Sequence, residues 1–482
     1  MLDSGWATHE VQGATFADKR FSRVMIEILT AKEAQLGVSF SSACGSALRQ
    51  AAGRLLRHEE TNPTDLLAGH RQATLSRCMG KDTIVVAQDS SSFNYSTHRA
   101  TSGLGPINDA PNAAGIHQHS ALAMTLQRFP LGVVDAHFWA RSTEKQTAAD
   151  RRKKPIEEKE SFRWIRTTRH VEQLFGPYLH QGGQVVVVAD READIFDLLA
   201  DERHSGLNLV IRASHPRNVV ITDAPVKDAP VKDASQGSHQ DGSCSKDGSC
   251  SLLEAAKEGE LLGSYTICVP GKTKKQDHEA KMELRCCSVE IQPPRNGVGY
   301  SKATVPVRVV QAREVTPEGF TGVALEWIMI TTLDVANLEA ARRVIDLYAC
   351  RWEIERLHYT LKSGCQAEHL QMDDVDTLCN TLALYLIVAW RLLYVTHLSR
   401  VVPDTPVQAM IDEAEVAVLN QQSRTAITTV SQAVMAIAKL GGFEPYKNGP
   451  PPGVKVLWLG LRKLEAMAIG WRLAMASIRQ KM

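Results

Sequence analysis

The sequence predicts an α/β protein with a core of buried strands, a helical segment at each end and antiparallel strands inserted between. Three observations carry this. Thr-Ile-Val-Val-Ala at 83–87 and Gln-Val-Val-Val-Val-Ala at 184–189 are β-branched runs, each leading into an aspartate. Apolar residues recur at helical spacing through much of 1–80 and 376–482. Strand-like stretches with Gly and Pro breaks fill 264–332. The expected divisions are therefore 1–80, 81–375 and 376–482.

The elements follow in order. Phe21, Val24, Met25, Ile28 and Leu29 mark a first helix, and a second runs through 47–56. Asn62-Pro63 breaks it and starts a third. This segment holds a modest excess of cations, read either as a solvated face or as a small DNA-binding domain. Strands are expected at 83–87, 119–126, 131–139, 184–189 and 207–212, with a helix over 150–175. Residues 222–251 repeat DAPVKD and DGSCSK and offer almost nothing to bury, so a disordered insertion is expected there. Its Cys244 and Cys250 suggest a metal clip only if two more ligands join them. A single helix is expected over 340–362. Leu457, Leu461, Leu464, Ala468 and Trp471 form an apolar stripe near the C-terminus, either ordinary core or a subunit interface.

Composition narrows the classes. The chain has 482 residues, 44% hydrophobic and 23% charged, with 55 Lys+Arg against 54 Asp+Glu for a net charge of +1. That excludes a chain-wide basic coat, so any nucleic-acid contact must come from local patches. No stretch of about 18 apolar residues is read in the sequence, so no membrane span is expected. The N-terminus lacks the basic start and apolar run of a secretory signal. Ten sparse cysteines without C-x-x-C pairs predict a cytoplasmic protein with reduced thiols and no structural zinc.

Asp89 and Asp190 carry the first chemical signal, because each ends a buried strand, where ligands approach open sheets. An aspartate there is a turn or capping residue unless a cation binds it, and a divalent metal is the natural partner. On an unbroken helix at about 100° per residue, Tyr348, Arg351, Glu355, Tyr359 and Lys362 share one face. Glu355 then either belongs to a salt-bridge ladder or completes a three-carboxylate site with Asp89 and Asp190. Oxygen-only ligands suit Mg²⁺, or Mn²⁺, and flanking cations would grip a phosphate backbone.

Tyr348-x2-Arg351-x3-Glu355-x6-Lys362 resembles the YREK signature of insertion-sequence family four, a group of DDE transposases. Asp190-Arg-Glu-Ala-Asp-Ile195 and Gln88-Asp89-Ser90-Ser91-Ser92 resemble the segments around that family's two catalytic aspartates, and His215-Pro-Arg217 is a further matching segment. The resemblance covers nearly the whole chain. It implies an RNase H-like catalytic core with an antiparallel β insertion at about 213–335, flanked by all-α N-terminal and C-terminal domains for DNA binding and dimerisation. It implies Asp89, Asp190 and Glu355 as the catalytic and metal-binding triad. It implies Trp327 as a residue that stacks a flipped base, against the plainer reading of a core tryptophan. Tyr348, Arg351 and Arg212 would hold the flipped nucleotide and its phosphate, with Lys362, His215 and Arg217 also on the DNA. Arg20 and Arg23 are the expected contacts of the N-terminal domain. Tyr359 and Ser214 stand where the family carries lysines.

The implied function is cut-and-paste transposition: cleavage at transposon ends, through a DNA hairpin, then strand transfer into target DNA. The implied partners are double-stranded DNA, as terminal inverted repeats and target, and a second copy in a synaptic homodimer. The rivals are an RNase H-like nuclease without strand transfer and a non-catalytic repressor derived from a transposase. Glycoside hydrolysis by two carboxylates fits poorly with the cations around Glu355.

Overall fold

In a computed structural model of the chain, residues 5–35, 38–107, 112–144, 147, 150, 153–222, 249–269, 278–294, 304–316, 323–446, 449 and 451–481 are described. The N-terminal helices are α1 (Gly5–Val11), α2 (Arg20–Ala34), α3 (Phe40–Ala43), α4 (Ser46–Leu56) and α5 (Pro63–Cys78). Strands β1 (Thr83–Asn94), β2 (Gly105–Pro106), β3 (Ala114–Met124) and β4 (Pro130–Trp139) follow, then α6 (Phe162–His180), β5 (Gln184–Ala189), α7 (Phe196–Ala200) and β6 (Leu207–Arg212). Next come β7 (Asn218–Ile221), β8 (Ser249–Ser251), α8 (Leu252–Glu258), β9 (Glu260–Val269), β10 (His278–Ile291), β11 (Val305–Glu314) and β12 (Glu326–Thr331). The chain ends in α9 (Leu338–Ala349), α10 (Trp352–Tyr359), α11 (Val375–Val401), α12 (Glu413–Ser423), α13 (Val430–Leu440) and α14 (Val454–Lys481).

Two compact units divide the chain, and their borders differ from the three expected segments. One comprises 82–88 and 146–351; the other comprises 1–81, 89–145 and 352–482.

In the first unit the start of β1, β5 and β6 are parallel neighbours. The valines of β5 are buried because strands flank it on both sides and helices cover such parallel sheets. The insertion does not form a separate small sheet. Its strand β12 pairs antiparallel with β6, and β11, β10 and β7 continue outward from it. The open edge of β6 would otherwise expose unpaired backbone groups, and β12 satisfies them. Asn337 caps α9 by accepting the Ala340 N–H.

The 223–248 part of the expected disordered insertion lies outside the described residues. Its last three residues, Ser249–Ser251, form β8 against β7, and Ser251 closes a capping box on α8. Cys250 is disulfide-bonded, which corrects the expectation that all thiols are reduced. The single helix expected over 340–362 is also corrected. It breaks at Cys350–Arg351, where the Arg351 N–H reaches only three residues back, to Tyr348 O at 2.9 Å. α10 then runs into a π turn over Thr360–Gly364.

In the second unit the outer half of β1 lies beside β3, and β4 pairs with β3. The apolar helix α11 is the centre of this unit. Asp374 caps it, and Trp390 Nε1 donates to Pro130 O at 3.1 Å. By length and composition α11 could cross a bilayer, which the sequence reading overlooked. Within the protein 94% of its apolar window is buried, as in a core helix. The C-terminal stripe is core as well: Leu457 and Leu464 join Val430, Val434 and Ile437, with Leu461 and Trp471 packed against them. The exposed apolar residues of α14 are instead Ile469, Leu473, Met475 and Ile478.

Candidate active site and nucleic-acid interface

In the first unit β5 delivers Asp190. Its backbone is extended, and its Oδ1 accepts the Glu192 N–H at 2.9 Å, capping the turn Arg191–Ala193. The strand register pairs Ala87 with Val188, so Asp89 and Asp190 each follow a paired residue by two positions. Four residues beyond Asp190, the fully buried Asp194 ties two loops together. It accepts the backbone N–H groups of Ser214 (2.8 Å) and His215 (3.0 Å), and Arg217 Nε at 2.7 Å. Arg217 also donates to the Asp194 carbonyl. Thus Arg217 anchors the loop, and His215 stands exposed on it. Asp194 escaped the sequence reading because its partners lie twenty residues on, with no local signal.

The same unit assembles an aromatic and cationic corner. Trp327 on β12 is half-buried, and its ring meets that of Tyr348 edge-to-face, with centroids 5.9 Å apart at 67°. The Arg351 guanidinium stands 5.8 Å from the Tyr348 ring centre and is 8% exposed. Arg212 pairs across the sheet with Met329, two residues from Trp327, so Arg212 and Trp327 share a face.

In the second unit two hydrogen bonds fix the faces of β1 and β3. Ser90 Oγ meets His119 Nδ1 at 2.9 Å, and Ser120 Oγ meets His358 Nε2 of α10 at 2.8 Å. Successive strand residues alternate, so Asp89 lies on the side opposite Ser90, the side α10 covers. Phe93 is on that side too, and the Lys362 ammonium stands 5.4 Å from its ring centre. Glu355, His358 and Lys362 follow one another at helical spacing along this layer. Burial pushes His358 down to about 3 and lowers Lys362, so His358 is a neutral imidazole. Asp89 Oδ1 accepts the Ser90 N–H at 2.7 Å.

Aspartate and glutamate oxygens are the hard donors that Mg²⁺ and Mn²⁺ take, so the donor chemistry fits those ions. Among the described residues, no group of three or more His, Cys, Asp or Glu side chains is drawn together closely enough to hold an ion.

The N-terminal candidates are exposed and paired. Arg20 makes a two-pronged contact with Asp18, at 2.6 Å for the shorter ion pair, and Arg23 bonds Glu27 at 2.8 Å.

Comparison with known proteins gives the family. A family model described as transposase DDE domain matches residues 134–390, and one described as transposase DNA-binding matches residues 3–61. The first match takes in Asp190 and Glu355 and begins after Asp89. Among solved structures, a cryo-EM structure of the piggyBac transposase synaptic complex with hairpin DNA aligns over 98% of this chain and 71% of that one, at 10% identity and a TM-score of 0.31. That score is too low to carry fold or function from one chain to the other. The DDE match spans more than half of the sequence, and the chain belongs to the DDE transposase family.

Proposed function

We propose that this DDE transposase is a cut-and-paste enzyme of the insertion-sequence family four type, built on an RNase H-like core. Asp89, Asp190 and Glu355 are its catalytic carboxylates and hold Mg²⁺ or Mn²⁺. The observation that carries this is the strand register: Ala87 and Val188 are paired, each two residues before an aspartate. The side of β1 that bears Asp89 is the one α10 covers, and α10 bears Glu355. Bound there, divalent ions activate the attacking oxygen and stabilise the leaving one.

The chain's own residues orient the DNA. Trp327 offers ring surface to a base turned out of the duplex and is backed by the buried Tyr348 ring, while Arg351 and Arg212 bring positive charge to its phosphate. In the proposed sequence, water attacks the phosphodiester at the transposon end and frees a 3′-hydroxyl. That hydroxyl attacks the opposite strand, forming a hairpin and releasing flanking DNA. A second water opens the hairpin, and the 3′-hydroxyl then attacks target DNA. The exposed apolar residues Leu473 and Ile478 of α14 support a homodimer as the synaptic form.

The test incubates the full chain with linear DNA carrying the sequences that flank its gene, a target plasmid and Mg²⁺. Hairpin-ended intermediates and joined plasmid products are expected. Nicks without joining would identify a nuclease, and binding without nicks a repressor.

A further inference from the structure

We propose that helix α4 lies in a groove of duplex DNA, with Arg49 and Arg54 on the two phosphate walls and Gln50 facing the base edges. The inference rests on the DNA-binding reading of the N-terminal segment and names the face that performs it.

From Ser46 to Arg57 the chain has three arginines and no carboxylate. At about 100° per residue, Ser46, Gln50, Gly53 and Arg57 form a central strip, with Arg49 about 60° to one side and Arg54 about 80° to the other. The opposite side is apolar, and Ala52, Leu55 and Leu56 are buried. The polar side, with Arg49, Gln50 and Arg54 exposed, lines an open cleft of ≈ 1060 Å³ together with Asp18, Phe21, His58 and Glu59. A helix about 10–12 Å across fits a major groove about 12 Å wide. Two cations on its flanks then reach opposite backbones, and the strip between them faces the bases. A Cβ added at Gly53 would meet only Arg57 Nη1, at 3.1 Å, so packing within the protein does not demand a glycine there. Its missing side chain lets another backbone come close. Glutamine is a side chain that can bond adenine through two hydrogen bonds.

Charge pairing favours α4 over α2. Arg20 and Arg23 are occupied by Asp18 and Glu27. Among the described residues Arg49 and Arg54 make no salt bridge, and Arg57 is tethered to Asp373 at 2.8 Å. Of the two carboxylates lining the cleft, Asp18 is matched by Arg20, which leaves Glu59 against Arg49 and Arg54, so a phosphate entering the cleft meets a surplus of cations.

The experiment uses the full chain in EDTA, which keeps DNA intact. A randomised 30-base-pair duplex pool is selected and sequenced, and binding of selected and random duplexes is then followed by fluorescence anisotropy across a salt series. Arg49→Ala and Arg54→Ala should each weaken both duplexes alike and lower the slope of log affinity against log salt by about 1. Arg54→Lys should restore that slope. Gln50→Ala should weaken the selected duplex about 10-fold and the random one hardly at all. Lys439→Ala, which removes a charge on α13, should leave both unchanged. Thermal melts confirm that each variant is folded. If Arg49→Ala and Arg54→Ala leave affinity and slope intact, or Arg20→Ala with Arg23→Ala carries the slope instead, the proposal is wrong while the DNA-binding reading stands. If the unaltered chain shows no salt-dependent binding, both fail.

Discussion

Ser120 on β3 and His358 on α10 share a buried hydrogen bond of 2.8 Å, less than one helical turn from Glu355. This bond fixes the side of the sheet on which α10 rests. Ser120→Ala leaves a buried imidazole nitrogen short of a partner and should cost about 1–3 kcal/mol in urea unfolding. Because Glu355 rides on the same helix, end cleavage should fall more than end binding.

The same histidine predicts a pH dependence. Its pKa is about 3 in the folded protein against 6.5 ordinarily, with burial the largest cause. A depressed value means its contribution is complete above about pH 6.5 and is lost as pH falls toward 3. His70 is lowered by burial too and acts in the same direction. Thermal midpoints measured from pH 8 to 4 should decline below 6.5, and His358→Asn should make that decline shallower. An unchanged slope in the variant would remove His358 from the account.

Glu10 links α1 to α5 through His70 Nδ1 at 2.5 Å and Arg77 at 2.7 Å, while His70 Nε2 accepts the Val133 N–H at 2.9 Å. Burial opposes ionisation of Glu10, but His70 and Arg77 together outweigh it and hold the carboxyl down at about 2. Its contribution is therefore present above about 4.5 and lost between 4.5 and 2. Glu10→Ala should destabilise by about 3 kcal/mol at pH 7, because it strands buried partners. Fluorescence of Trp390, which lies against both His70 and Arg77, is a direct reporter.

Gly441 and Gly460 allow α13 and α14 to cross backbone to backbone. A Cβ at Gly460 would overlap the Ile437 carbonyl, and one at Gly441 the Val456 carbonyl. Gly460→Ala should therefore cost about 1–3 kcal/mol and raise hydrogen exchange in α13.

Trp327 should stack a displaced base. With 2-aminopurine at the transposon end, Trp327→Ala should lose about 1–3 kcal/mol of stacking, and Trp327→Phe should keep most of it. Equal fluorescence in all three proteins would return Trp327 to the core reading.

Much of this was legible in the sequence because burial writes itself into local pattern. The valines of β5 and the aspartate after it could be placed from a few residues, whereas Asp89, expected to end its strand, lies within β1, which runs on to Asn94. What escaped depends on distant partners. Nothing near Asp194 announces Ser214, His215 and Arg217, and nothing near Ser120 announces His358. The helix over 340–362 has unbroken periodicity, yet its backbone tightens at Arg351, and the pattern carries no sign of that break. The insertion strands alternate as a separate sheet would, and only the open edge of β6 explains why they continue it. The stripe at 457–471 was visible, but whether it meets this chain or another copy is decided by α12 and α13, which a local pattern does not contain.

The most direct measurement compares Asp89→Asn, Asp190→Asn and Glu355→Gln with the unaltered chain, scoring Mg²⁺-dependent end cleavage and end binding on the same DNA. Each carboxamide keeps the shape and removes the charge. All three should bind as the parent does and cut on the order of 1,000-fold more slowly, or worse. Parental cutting rates in any one of them, with folding intact, would contradict a shared carboxylate site.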